Sequence, residues 1–139
     1  MPILPAGMLD VPMANEFLRE SKTFIGTGGV VVMDETTCMV RVACVISYFF
    51  RDESCGQCSL CREGTGWMNK IVERIERGDG TEEDIEILED IAGKVEGGTI
   101  CAFADASAWP MQGLLRHFRS DFEQHVKLGK CPFPESFEF

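Results

Sequence analysis

Cys55, Cys58 and Cys61 follow one another with two residues between each pair, and a fourth cysteine, Cys101, lies far downstream. This spacing constrains the chain more than any other feature. Two residues between successive thiolates let one tight loop aim three sulfurs at a single face of an iron–sulfur cluster, and a fourth ligand from elsewhere completes the cubane. Gly56 supplies backbone freedom inside the loop. The fold must then bring Cys101 back to the loop. A helical hairpin between Cys61 and Cys101 does this if one helix leaves the site and the next returns to it. Structural zinc on four cysteines is the competing reading, although zinc sites usually pair two Cys-x2–4-Cys hooks. A thioredoxin-like redox pair needs a strand-to-helix turn that the surrounding pattern lacks.

The seven cysteines are odd in number, so complete disulfide pairing is impossible. The N-terminus shows no basic stretch leading into an apolar one, so no secretion signal is read and a reducing compartment is expected. There, clustered cysteines bind metal or do redox work. The formal net charge of -10 argues against nucleic acid, whose phosphates it would repel. No apolar run reaches the length of a membrane span. With 139 residues, 45% of them hydrophobic, the chain has room for one ordinary soluble domain.

Four helices are predicted. The first runs from Thr36 or Thr37, as cap, to about Arg51, with Met39, Val40, Ala43, Cys44, Ile46 and Phe50 inward. The second follows Cys61, with Trp67, Ile71 and Ile75 four apart, and ends at Gly78-Asp79-Gly80. Thr81 caps the third, with Asp84 completing a capping box and Ile85, Leu88, Ala92 and Val95 as its stripe. The fourth starts near Trp109-Pro110, turns Leu114, Phe118 and Phe122 inward, and closes at Gly129. Ahead of them, Pro2, Pro5 and Pro12 mark an irregular apolar lead-in. Gly26-Thr27-Gly28-Gly29 reads as a turn into a short buried strand, Val30 to Met33. That glycine turn precedes a strand, so it is not a dinucleotide fingerprint. The tail from Pro132 to Phe139 is read as extended.

Outside the four-cysteine set, Cys38 and Cys44 read as buried core thiols, and Cys131 as a tail thiol that is free or touches a partner. Arg62, next to the third cysteine, either offsets thiolate charge or is an ordinary surface arginine. His117 and His125 read as surface or packing residues, and Gln112 and Arg116 as weak candidates for a partner contact. No Walker A motif, HExxH or nucleophile elbow is present, so nothing in the sequence marks a substrate-binding catalytic site.

Glu53-Ser54-Cys55-Gly56-Gln57-Cys58, followed by Cys61-Arg62-Glu63-Gly64, resembles the cluster loop of the NADH-binding flavoprotein subunit of respiratory complex I and of related NAD-linked diaphorases. Ile100-Cys101-Ala102, Asp105 to Pro110 and Leu114 to Arg119 look like the segment around that family's fourth ligand. Gly26 to Asp34 looks like the end of its ubiquitin-like (SLBB) domain. The resemblance implies a mainly α fold: a four-helix bundle at 36–128 carrying a [4Fe–4S] cluster, the end of an SLBB-like α+β domain and a linker at 1–35, and a tail at 129–139. It implies Cys55, Cys58, Cys61 and Cys101 as the cluster ligands. It implies electron relay from FMN reduced by NADH to the next cluster of NADH:quinone oxidoreductase. FMN and NAD(H) would sit on a missing part of the flavoprotein or on a partner chain, because their glycine-rich loops are absent here. The implied partners are that FMN/NADH-binding portion, a thioredoxin-like [2Fe–2S] subunit and a large iron–sulfur subunit. The implied location is the bacterial cytoplasm or the mitochondrial matrix side, peripheral to the membrane. The same module in a soluble hydrogenase or formate dehydrogenase diaphorase, a zinc-stabilised helical interaction domain, and a remnant kept only for assembly remain as alternatives.

Overall fold

Helix-forming runs with one apolar face dominate the chain, and the computed structural model, which describes residues 3–133, turns them into a mainly α-helical bundle. A single 3-10 turn at Ala6–Met8 and a short helix α1 (Asn15–Glu20) precede four longer helices. These are α2 (Met39–Asp52), α3 (Ser59–Glu76), α4 (Glu82–Val95) and α5 (Phe103–Leu128). Helix α3 packs on α2, α4 and α5, and α5 packs on α2, α3 and α4. Their shared core holds Val40, Met68, Val72, Ile75, Ile85, Leu88, Met111, Leu114 and Phe122, all buried.

The predicted strand is not there. Among the described residues no strand forms, and Val30, Val31 and Val32 are 60%, 78% and 88% exposed. The expectation of an SLBB-like α+β remnant is therefore overturned. The reason is physical: β-branched residues favour an extended backbone, but a strand exists only when a neighbouring strand pairs with it. Nothing in residues 3–35 supplies that neighbour. The lead-in instead buries Leu18 and sets the Phe24 ring edge-on against Trp109 of α5, with centroids 5.2 Å apart.

Three helix boundaries also move. Thr36 and Thr37 do not cap α2. Both bond to the Asp34 carboxylate in a local turn, and Cys38 takes the cap position, its sulfur accepting from the Arg41 N–H at 3.3 Å. Helix α3 begins at Ser59, so Cys61 lies in its first turn. Helix α5 begins at Phe103, which leaves Pro110 inside it, and the backbone departs from helical geometry further along, at Phe118. Proline inside a helix costs a hydrogen bond and a clash. Here Pro110 is buried beside Ala104, Ala108 and Met111, and the packing of the whole face overrides the local preference. Trp67, expected inward, is 52% exposed; the inward face of α3 is Cys61, Gly64, Met68, Ile71 and Ile75.

Other expectations hold. The Thr81–Asp84 capping box is complete, and Gly129 ends α5 in the left-handed conformation at φ 62°. Gly64 lets α3 and α4 approach closely: a side chain there would run into Val95. Ser47, Asn69 and Arg51 form a polar chain between α2 and α3, with Arg51 donating to Asn69 at 2.7 Å and Asn69 to Ser47 at 3.2 Å. The extended tail expected from Pro132 onward falls, beyond Phe133, outside the described residues.

Leu114 has no exposed surface, so Leu114→Ala is expected to cost about 2–5 kcal/mol in urea unfolding, whereas Ile87→Ala, at a 40% exposed position, stays within about 1 kcal/mol of wild type. Burial pushes the Asp84 carboxyl up, but hydrogen bonds from Arg74 and Thr81 outweigh it and hold the group below the ordinary carboxylate range. A depressed folded-state value means that Asp84 stabilises the fold at neutral pH and ceases to as pH falls through that value. Asp84→Asn is therefore expected to be less stable than wild type near pH 7, with the gap narrowing by about pH 2.

Candidate functional site

The cysteine loop fills the turn between α2 and α3. Gly56, at φ 76°, allows the sharp reversal after Cys55. Cys58 is the N-cap residue of α3, and no side chain caps the helix. The N–H groups of the first turn are thus left facing the loop, and with the helix dipole they favour anionic sulfur. Cys61 is buried, Cys58 half-buried, and Cys55 exposed. Ser54 Oγ lies 3.2 Å from the Cys61 sulfur, and Thr65 Oγ1 donates to the Cys61 carbonyl at 2.8 Å. Arg62 reaches back over the loop: Nη1 donates to the Gly56 carbonyl at 2.7 Å, and Nε pairs with Glu63 at 3.0 Å. It is half-exposed and braces the loop backbone.

Cys101 sits in the turn between α4 and α5, and it is exposed. Two contacts tie this turn to the first. Phe50, at the end of α2, meets Phe103, at the start of α5, edge-to-face with centroids 5.3 Å apart. On the other side, a Cβ at Gly98 would lie 2.5 Å from Leu60 Cδ1, so the backbone entering the Cys101 turn lies against the residue before Cys61. The α3–α4 hairpin thus returns the chain to its starting end.

A second set of donors was not foreseen. Cys38, Glu76, His125 and Cys131 bring their ligand atoms to within 4.8 Å of one another. They come from the cap of α2, the last residue of α3, the last turn of α5 and the segment after it. Cys38 and His125 are fully buried. Cys38 Sγ lies 3.4 Å from His125 Nε2 and 3.6 Å from Glu76 Oε2, and Nε2 lies 3.1 Å from the same oxygen. Burial pushes the Cys38 thiol far above its usual range, and burial likewise takes Cys44 up to about 12. Cys44 stays a core thiol, as expected. Sequence spacing gave little warning of the rest. Only His125 and Cys131 are near neighbours in the chain, and the other two donors arrive through helix packing.

Gln112, read as a candidate partner contact, bonds within the chain, to Glu96 at 2.9 Å. No helix among the described residues is long and apolar enough to cross a membrane.

Residues 41–125 match the family described as the NADH-ubiquinone oxidoreductase-F iron-sulfur binding region. The chain belongs to that family. It is 44% identical to the F subunit of the NADH-quinone oxidoreductase of Rickettsia felis over 127 residues, which is 91% of this chain and 30% of that protein. It is equally identical to the mitochondrial 51 kDa subunit of NADH-ubiquinone oxidoreductase of Neurospora crassa, over 91% of this chain and 26% of that one. Among solved structures it is similar to a chain of an NAD+-reducing [NiFe]-hydrogenase in the H2-reduced state, with a TM-score of 0.62 and 31% identity over 73% of this chain and 17% of that one. The chain therefore spans less than a third of the length of these relatives. The family region contains Cys55, Cys58, Cys61 and Cys101, while Cys38 and Cys131 lie outside it.

A methyl group at Gly56 would meet only Arg62 Cδ, at an ordinary 3.6 Å, so the backbone alone sets the cost of Gly56→Ala. An L-residue at this positive φ is expected to lose about 1–2 kcal/mol in urea unfolding. Gly66→Ala, in the middle of α3 with nothing within 4 Å of the added methyl, is expected to gain rather than lose stability.

Proposed function

We propose that Cys55, Cys58, Cys61 and Cys101 hold a [4Fe–4S] cluster, and that the chain is the electron-relay module of an NADH:quinone oxidoreductase flavoprotein. In this role it passes electrons from FMN reduced by NADH towards the next cluster of the peripheral arm. The observation that carries this reading is the family match across a region that contains all four cysteines, in a fold whose packing ties the Cys101 turn to the three-cysteine loop. The donor set fits the group: four thiols, three on one short loop, beside an uncapped helix N-terminus that offsets negative charge.

When bound, the cluster supplies one-electron redox chemistry. The chain itself ligates and positions. Helix α3 holds Cys58 and Cys61 at its start, α5 holds Cys101 just ahead of its own start, and Arg62 keeps the loop closed while placing a positive charge beside it. FMN and NAD(H) belong, in this proposal, to a portion of the flavoprotein beyond this chain or to a partner. A thioredoxin-like [2Fe–2S] subunit and a large iron–sulfur subunit are the other partners, on the cytoplasmic or matrix side of the membrane. The similarity to the hydrogenase chain favours one second reading, the same module in a soluble NAD-linked diaphorase. The two differ in what lies at the far end of the relay and, for an NAD+-reducing enzyme, in the direction the electrons run.

Anaerobic purification is expected to give iron and acid-labile sulfide in equal amounts, with an EPR signal after dithionite reduction. Cys101→Ser is expected to lose or convert that signal. A chain without acid-labile sulfide after reconstitution would overturn the reading, and an unchanged signal in Cys101→Ser would remove Cys101 from the ligand set.

A further inference from the structure

At about 1.5 Å per residue, helix α3 carries the chain roughly 25 Å from Ser59, beside the cysteine loop, to Glu76 at its far end. The cluster of Cys38, Glu76, His125 and Cys131 stands at that far end, so it cannot share ligands with an iron–sulfur cluster on the loop. Its geometry has four features that ordinary core packing does not require.

First, the imidazole is oriented. His125 Nδ1 lies 2.7 Å from the Asp121 carbonyl, which can only accept, so Nδ1 is the donor there and Nε2 is the atom turned towards the cluster. This is how a metal-ligating histidine is usually held. Second, the carboxylate is oriented. Arg41 takes Glu76 Oε1 through Nε and Nη2, both at 2.8 Å, and leaves Oε2 facing His125 and Cys38. Nε2 and the carboxylate oxygen then face each other at 3.1 Å, a contact that holds a cation between them, either a proton or a metal ion. Third, the Cys38 sulfur caps α2 and accepts the Arg41 N–H, which fixes it beside His125 and Glu76; burial keeps the unliganded thiol protonated, and a bound cation would draw that proton off. Fourth, the spacings suit a single ion. Bonds of about 2.3 Å to sulfur and 2.0–2.2 Å to nitrogen and oxygen give tetrahedron edges of about 3.3–3.8 Å. Of the three edges among Cys38, Glu76 and His125, two lie in this range, at 3.4 and 3.6 Å, and the third is slightly shorter, at 3.1 Å.

We propose that Cys38, Glu76, His125 and Cys131 form a second metal site, a mononuclear centre for a divalent ion of the zinc type. Two thiolates and a carboxylate carry three negative charges. The ion supplies two positive ones and Arg41 the third, so the buried site is neutral. Binding forms two metal–sulfur bonds and one bond each to Nε2 and Oε2, and releases to solvent the two thiol protons and the proton shared between His125 and Glu76. Soft sulfur with imidazole selects zinc over magnesium or calcium, and four protein donors leave no open position, which marks a structural site and not a catalytic one. The ion pins the start of α2, the end of α3, the end of α5 and the segment after α5 to one another. Gly78 makes this convergence possible: a side chain there would strike the Gly129 backbone, so its absence lets the end of α3 abut the end of α5. A disulfide between Cys38 and Cys131 would leave the orientation of His125 and Glu76 without a purpose.

The test uses the full chain, purified anaerobically, with zinc, iron and acid-labile sulfide measured on each sample. One zinc per wild-type chain is expected. Cys38→Ser and Cys131→Ser should each lose at least nine-tenths of it while keeping iron and sulfide, and Cys44→Ser should keep all three. Zinc retained in both ligand variants, iron and sulfide in place of zinc at this site, or a Cys38–Cys131 disulfide in the anaerobic chain would each overturn the proposal. Should the variants fail to fold, wild-type chain loaded with Co2+ decides. Tetrahedral visible bands with thiolate-to-cobalt charge transfer support the site, and a six-coordinate spectrum without charge transfer refutes it. Loss of sulfide with zinc intact would sink the electron-transfer reading and leave this one standing.

Discussion

Everything at the cysteine end depends on the return of the α3–α4 hairpin. The turns that carry Cys61 and Cys101 are separated in the chain by the α3–α4 hairpin, so their approach is a long-range closure held by packing. That closure rests on small residues at close crossings and on one aromatic pair. Gly64 lets α3 approach Val95, Gly98 lets the next turn lie on Leu60, and Phe50 against Phe103 ties α2 to α5 on the other side. Helices α3 and α4 are similar in span, 18 and 14 residues, so the hairpin leaves and returns to the same level. The buried stripe of Ile75, Ile85, Leu88 and Val95 supplies the driving force, about 1.5–3 kcal/mol for each such side chain.

Charge is arranged to suit anionic ligands in a chain that is acidic overall. The first turn of α3 carries no acidic residue, while that of α4 carries three, Glu82, Glu83 and Asp84. Both helices have the same dipole at their starts. One is compensated by carboxylates, and the other is left for thiolates. At the opposite end Arg41 compensates the Glu76 carboxylate, and Cys38 takes the cap of α2. The acidic outer face of α4 is solvated or paired across the surface, as in Arg119 with Glu89.

Several departures from the local reading share one cause. Pro110 sits inside α5 because the surrounding face is buried. Thr36 and Thr37 yield the cap of α2 to Cys38 because Asp34 engages both hydroxyls first. The valines at 30–32 stay exposed because a strand needs a partner that residues 3–35 do not contain. In each case a local propensity yielded to the contacts actually available: packing for Pro110, the neighbouring Asp34 for the threonines, and a missing strand partner for the valines.

The sequence by itself determined the α-helical bundle, three of its four inner stripes and the three-cysteine hook, because helical periodicity and Cys-x2-Cys spacing are local properties. It also determined the Thr81 cap and the Gly129 stop, which depend on neighbours one turn away at most. Only the tertiary structure decided that the lead-in forms no strand and that Trp67 faces solvent. It alone showed how the Cys101 turn is drawn to the loop. It alone assembled Cys38, Glu76, His125 and Cys131, because donors on three helices and a tail meet only after the helices have packed. Periodicity reports which face of a helix is buried; it carries no record of what that face will meet at its far end.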